Sequence, residues 1–378
     1  MRILVTSFPA LGHFHPVAPL ALAARDAGHE VRVATGPDLF EWVECCGLEA
    51  HAVGISQAEA RRVAAERYPD AVASDHKFTD VWVSAALPGL ISLTNAWSPD
   101  VIIHEEEEYA ALLLGDLLGV FCVTHSWASP ARPVELRERA AELLAPVWDA
   151  AIPGAHARTT GDLYLDACPP PFQTGAIAAV AATVLPVRPV LFDGPPGDPP
   201  EWLATLPRPA AYVTLGTVPA FSRSGLLRTI IAGLDPVVAS IVVTSGPNPV
   251  AELGDVRASV HAAQYLPQSL VLARVDLIVS QAGAGGSVGA LVYGLPHLAL
   301  PQTAQSQIGV ADRIHDLGVG RRLAADEQTT DAIRAAAREL LSDDAYARRA
   351  GELAAEFEQL PSPTDVWQIV ATQRSSRP

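Results

Sequence analysis

Twice along this chain, short runs rich in Val, Ile and Thr alternate with longer Ala/Leu-rich stretches, a pattern that restricts the fold to parallel sheets joined by crossover helices. RILVTS (2–7) and VRVAT (31–35) bracket the helical stretch 16–28, one βαβ unit whose helix follows a proline-containing loop. DVIIH (100–104) and VFCVTHS (120–126) bracket another helical stretch. After Leu185 the texture changes to the proline-crowded LPVRPVLFDGPPGDPPEWLATLPRP, which suits an exposed linker better than a packed element. AYVTLGT (211–217), SIVVTSG (240–246), LIVSQAG (277–283) and LPHLALP (295–301) then restart the alternation. The expected class is α/β, with two Rossmann-like doubly wound domains at 1–190 and 210–360, a linker at 191–209, and a segment 361–378 that crosses back to the first domain. Two such sheets predict a cleft facing their carboxyl ends.

The chain has 378 residues, 49% of them hydrophobic and 18% charged, enough for two real cores and unlike a disordered chain. A net charge of −16 argues against a surface that grips nucleic acid or an anionic membrane nonspecifically. Cys45, Cys46, Cys122 and Cys168 form no CxxC pair, and the sequence opens on a strand rather than a secretory leader, so a reduced, cytoplasmic protein is expected. No apolar run reaches the roughly 18 to 20 residues that span a bilayer.

The loop Phe8–Pro16 follows the first strand and carries His13 and His15. A histidine at a strand's carboxyl end can accept a proton near neutral pH, and it can equally cap or pack beside the next helix. His104-Glu-Glu-Glu-Glu-Tyr109 also follows a strand. Its glutamates read either as first-turn charges favoured by a helix dipole or as a partner that fixes the tautomer of the first-loop histidine. In the second half, the turns at 214–217, 244–246 and 282–287 all fall at strand ends, where backbone amides and a helix N-terminus can surround a phosphorylated ligand. Neither GxxxxGK[ST] nor GxGxxG is present, which argues against an NTP hydrolase and against a dinucleotide site on the first strand.

These residues resemble the inverting glycosyltransferases of family 1, with the two-domain GT-B fold, and among them the actinobacterial enzymes that decorate antibiotics. The resemblance covers nearly the whole chain. It rests on MRILVTSFPALGHFHPVAPLALAARDAGHEV, PDVIIHEEEEYA, LLGVFCVTHSWASP, YVTLGTVPAFS, YLPQSLVLARVDLIVSQAGAGGSVGALVYGLPHLALPQ and the LPSP segment at 360–363. It implies that His13, with His15 one step beyond, is the base that deprotonates an acceptor hydroxyl, and that Glu105 is its carboxylate partner. Donor contacts then fall to Thr217, Ser245, Tyr265, Leu266 and Gln302 and to the loop residues Gln281, Gly283, Ala284, Gly285 and Gly286. The lack of tryptophan in YLPQ looks like the members that use thymidine-diphosphate (TDP) sugars. Phe14, Trp82 and Trp127 are the acceptor-side candidates.

The same resemblance implies no metal and no cofactor beyond the nucleotide-sugar co-substrate. The partners it implies are a small aglycone and that sugar, for a monomer or homodimer without an auxiliary protein. Three departures stand out. Gln281 occupies the place of a histidine that contacts the diphosphate, and Gly286 that of a threonine. The Asp-Gln pair that binds sugar hydroxyls falls on Gln305 and Ser306, or on Ser306 and Gln307 if the stretch 303–309 is one residue long. Two readings follow: an enzyme moving a deoxysugar, which has fewer hydroxyls to grip, or an impaired homologue that binds nucleotide or aglycone or assists another transferase.

Overall fold

Seven parallel strands form the sheet of the first unit: β1 Arg2–Ser7, β2 Glu30–Thr35, β3 Glu49–Ala52, β4 Val101–Glu105, β5 Phe121–His125, β6 Leu163–Asp166 and β7 Val184–Pro186, in the order β3-β2-β1-β4-β5-β6-β7. Every residue of β4 and β5 is buried, as befits parallel strands covered on both faces. The chain runs outward from β1 through β2 and β3, then returns to the other side of β1 as β4, with Thr6 opposite His104. The carboxyl ends of β1 and β4 therefore flank a topological switch point, where open α/β sheets leave a crevice.

Six more parallel strands form the second sheet: β8 Ala210–Thr214, β9 Ser240–Thr244, β10 Val260–Ala263, β11 Leu277–Ser280, β12 His297–Ala299 and β13 Gly320–Arg322, in the order β10-β9-β8-β11-β12-β13. Its switch point lies between β8 and β11. The computed structural model describes residues 1–69, 73–195, 197–218, 222–302 and 304–375. The first unit is Met1–Arg188 together with the segment from Leu360, and the second is Pro189–Gln359. Among the described residues no helix is long and apolar enough to cross a membrane.

Three local expectations are corrected. Helix α1 spans Leu11–Asp26 rather than starting at Pro16, so His13 sits in its first turn and not in a loop. Pro16 and Pro19 each cost one backbone donor, but Phe14, Val17, Ala18, Leu20, Ala21 and Ala24 bury a continuous face that outweighs the loss. The proline-rich stretch is not a free spacer either. Asp193 accepts bonds from the Ser269 amide (2.6 Å) and hydroxyl (3.0 Å), and Leu203 of the short helix Glu201–Ala204 is buried in the second unit's core. Finally, Glu106–Glu108 do not open a helix: they lie in a turn before the helix Ala110–Leu118, with Glu107 and Glu108 buried and Glu106 half-buried.

The last helix, Pro363–Ser375, packs on the first unit. Val366, Trp367 and Val370 are buried, the Trp367 indole donates to the Leu20 carbonyl (3.0 Å), and Arg374 pairs with Asp100 (2.9 Å).

Candidate active site

At the first switch point the His13 Nδ1 lies 2.9 Å from Oε1 of Glu105. Glu105 is fully buried, and its carboxylate also accepts bonds from the amides of Phe8 (3.3 Å) and Glu107 (2.8 Å) and from the Trp127 indole (2.9 Å). Burial alone would raise its pKa, but the imidazole and these hydrogen bonds prevail and hold the carboxyl below its ordinary range. With a carboxylate as partner, Nδ1 is the donor, which leaves Nε2 as an acceptor. The imidazole is ringed by aromatics: Phe8 at 5.2 Å, Phe78 at 5.2 Å and Trp127 at 4.7 Å between centroids. The imidazole is thus held in one tautomer and one orientation at a strand-end crevice.

The neighbouring acids have other roles. Glu107 pairs with Arg132. Glu106 accepts from Tyr164 and from the Trp127 amide, and burial pushes it up to about 7. Glu108, also pushed up to about 7 by burial, accepts from Thr6 (2.6 Å), Trp82 (2.9 Å) and the Ala111 amide (3.1 Å), so it anchors the start of the next helix. His104 bonds Thr124 in the core (2.8 Å), and burial lowers it to about 4. His15 packs against Trp42 rather than joining Glu105, and burial lowers it likewise to about 4. Of the acceptor-side candidates, Phe14 and Trp82 are corrected to core residues: they are 0% and 1% exposed and offer an acceptor no surface. Trp127 is half-buried at His13.

At the second switch point, Gln281 leads into the helix Ala284–Val292. Ala284, Gly285 and Gly286 form that helix's first turn, where amides lack an intrahelical acceptor, and Gly283 precedes it in extended conformation. A Cβ on Gly285 would meet nothing within 4 Å, so the backbone there is open to a ligand. The Gln281 amide nitrogen lies where a Cβ on either Gly216 (φ +76°) or Gly283 would stand, and a Cβ on Gly246 (φ +62°) would strike the Gly216 carbonyl. Gly216 and Gly246, both at positive φ, are therefore needed for the turns after β8 and β9 to close on one another, whereas in the turn after β11 the positive φ falls on Ala282 (+61°).

Thr217 is exposed, Tyr265 is 41% exposed with its hydroxyl on the Asp193 carbonyl (2.5 Å), and Leu266 is half-buried. Ser245 is corrected: it is fully buried, and its hydroxyl bonds the Asn248 carbonyl (2.7 Å). Gln302 is corrected too, since its side chain is engaged by Arg223 (2.6 Å), the Leu300 carbonyl (2.8 Å) and Gln328 (3.0 Å). Gln305 and Ser306 are exposed at the start of the helix Gln305–Asp316. Gln307 is buried and accepts from the Gln302 amide (3.0 Å), which leaves the first register as the exposed one. Residue 303, the start of the ambiguous stretch, lies outside the described residues.

Sequence reasoning missed Arg223, which with Ser222, Ser224, Asn248 and Gln328 lines a pocket of about 570 Å³. Its only signal was a Ser-Arg-Ser step opening the helix Ser224–Leu234.

Two doubly wound units of this kind make up the GT-B architecture of glycosyltransferases. Comparison with known proteins agrees. Residues 22–216 and 228–372 match the N-terminal and C-terminal domain models of the erythromycin biosynthesis protein CIII-like family. The L-demethylnoviosyl transferase of Streptomyces niveus is 30% identical, with 100% of both chains covered. The glycosyltransferase VinC, solved in complex with DTDP, superposes with a TM-score of 0.82 at 25% identity and 100% coverage of both chains. The spinosyn rhamnosyltransferase SpnG, solved with thymidine diphosphate, does so at 0.81 and 26%, over 98% of this chain and 100% of that one. This chain belongs to the erythromycin biosynthesis protein CIII-like family and is a natural-product glycosyltransferase.

Proposed function

We propose that this enzyme transfers a deoxysugar from TDP to a hydroxyl of a natural-product acceptor, with inversion at the anomeric carbon. The observation that carries the reading is the 2.9 Å contact between His13 and the buried, fourfold-bonded Glu105. Nε2 takes the proton of the acceptor hydroxyl, and the freed oxygen pair attacks the anomeric carbon. The bond from that carbon to the diphosphate oxygen breaks with its electrons, and TDP departs from the opposite face. Glu105 stabilises the imidazolium as it forms. On the donor side, the amides of Ala284, Gly285 and Gly286 and the helix dipole meet the negative charge that develops on the diphosphate. Exposed Gln305 and Ser306 remain to contact the sugar. Relatives named as a demethylnoviosyl transferase and a 2-deoxy-L-fucose transferase, together with structures holding thymidine diphosphate, support a TDP-deoxysugar donor.

Incubating the enzyme with TDP-deoxysugars and aromatic or polyketide acceptors, and reading the anomer by NMR, tests this. His13→Ala is expected to abolish turnover while leaving the thermal shift given by TDP. Transfer that survives the substitution, or a product of retained configuration, overturns the mechanism. One observation favours a binding-only homologue: Gln281, wedged against Gly216 and Gly283, brings no positive charge to the leaving group. A TDP shift without turnover of any donor would select that reading.

A further inference from the structure

Lys77 is the only lysine among the chain's 26 Lys and Arg residues. Every other fixed side-chain cation is an arginine. Lysine differs by offering a compact charge with three rotatable donors. It opens a single π-helical turn, Lys77–Val81, distorted at Thr79 (φ −86°, ψ −107°), an irregularity that recurs at functional sites. Its Nζ stands 3.7 Å from the centroid of the Phe78 ring and 5.1 Å from that of Phe8, the two rings that also pack on His13. Among the described residues the ammonium makes no hydrogen bond and no ion pair. The charged groups around it are Glu105 and Glu107 from the end of β4 and Arg61 from the helix Gln57–Arg67.

We propose that Lys77 selects the acceptor, its ammonium binding the oxygen of an acidic hydroxyl, a phenol or enol, on a flat aromatic substrate beside His13. The inference rests on reading the first unit as the acceptor side. Phe78 and Trp127, both half-buried, give faces and edges against which a flat π-system packs. The acids that close β4 repel a phenolate, and an unpaired cation on the aromatic wall offsets them. An aliphatic alcohol stays neutral beside the same lysine, whereas a phenol, with an ordinary pKa of about 10, ionises more readily and gains an ion pair with the ammonium. Burial and Arg61 lower the ammonium's pKa to about 8, so it is still charged at neutral pH.

The test uses 4-methylumbelliferone, a phenol whose neutral and anionic forms absorb at different wavelengths. Bound to the wild-type protein, it is expected to ionise about one pH unit below its free value, the size an adjacent opposite charge produces. Lys77→Met removes the shift, and Lys77→Arg keeps it. Lys77→Gln replaces the Met variant if that fails to fold. Failure of the wild type to bind the probe, or an unchanged shift in Lys77→Met, overturns the proposal. A thermal shift with TDP on the same samples separates the two readings: its absence from the wild type sinks the donor assignment, and its presence beside an unshifted probe sinks Lys77 alone.

Discussion

Glu105 has two carboxylate oxygens and four donors aimed at them: His13 and the Phe8 amide on one, Trp127 and the Glu107 amide on the other. A glutamine there presents its NH₂ group to one pair in either rotamer, so two donors face a donor. Glu105→Gln is therefore expected to lower kcat by about 10³-fold, inside the span assigned to acid–base catalysis, while the KM for donor stays put. Equal kcat values in steady-state kinetics would remove Glu105 from the mechanism. Trp127→Phe keeps a ring near His13 but deletes one bond to a charged acceptor, a loss of about 1.5 to 3 kcal/mol or roughly ten-fold or more in kcat/KM. The dyad itself was legible in the sequence, because a histidine and a carboxylate each followed a strand that parallel-sheet topology places side by side. Trp127 was legible only as an aromatic near the acceptor. Its bond to Glu105 depends on how the chain turns after β5, which no local pattern specifies. Trp82 and Phe14 misled for a related reason: sequence shows aromatic character but not which face of a helix a sheet will cover.

The turn after β4 holds Glu107 and Glu108 buried and Glu106 half-buried. Glu106 and Glu108 titrate near 7 when folded, above the ordinary carboxyl value of about 4.3 in the unfolded chain. Between those values the native state binds more protons than the unfolded one, so stability is fully present at low pH and falls as pH rises toward 7. Glu105 works in the opposite sense, its contribution being present above the ordinary carboxyl range and lost as acid protonates it. The buried histidines, His15 and His104 among them, act in the opposite sense below about 6.5, so the glutamates' share is read by difference: the wild-type midpoint minus that of Glu106→Gln should fall from pH 5 to 8. A difference that does not fall over that range would refute the buried protons. The sequence could not signal this: four consecutive glutamates look like solvated first-turn charges until tertiary packing takes them from water. The turns after β8 and β9 were legible by contrast, since Gly216 and Gly246 supply the positive φ that those turns need. Gly216→Ala adds a Cβ where the Gln281 amide sits and strains a φ of +76°, so TDP affinity measured by calorimetry should fall at least ten-fold, about 1.4 kcal/mol. Retained affinity would show that the Gln281 loop does not hold the diphosphate.

At the scale of the whole chain, the two sheets were legible from alternation, but the course of the chain between and after them was not. Prolines between 186 and 209 suggested a spacer because the pattern shows missing donors and not the partners, such as Ser269, that bind the carboxylate of Asp193. The chain leaves the first unit at Arg188 and returns to it at Leu360, where the Arg188 amide bonds the Pro361 carbonyl (2.8 Å). The final helix is thus a piece of the first unit's core supplied from beyond the second unit. Trp367 is its main anchor, 3% exposed and bonded to Leu20 of α1, the helix that carries His13. Truncating a buried tryptophan costs about 3 to 5 kcal/mol. Trp367→Ala should therefore lower the unfolding midpoint of the first unit and reduce turnover as α1 loosens. The proposed donor site belongs to the second unit and Trp367 to the first, so ligand at 100 times its Kd should still stabilise the variant by about 2.7 kcal/mol. Calorimetric scans with and without TDP distinguish the outcomes: a variant that loses the TDP response along with stability would mean that the last helix supports the proposed donor site as well as α1.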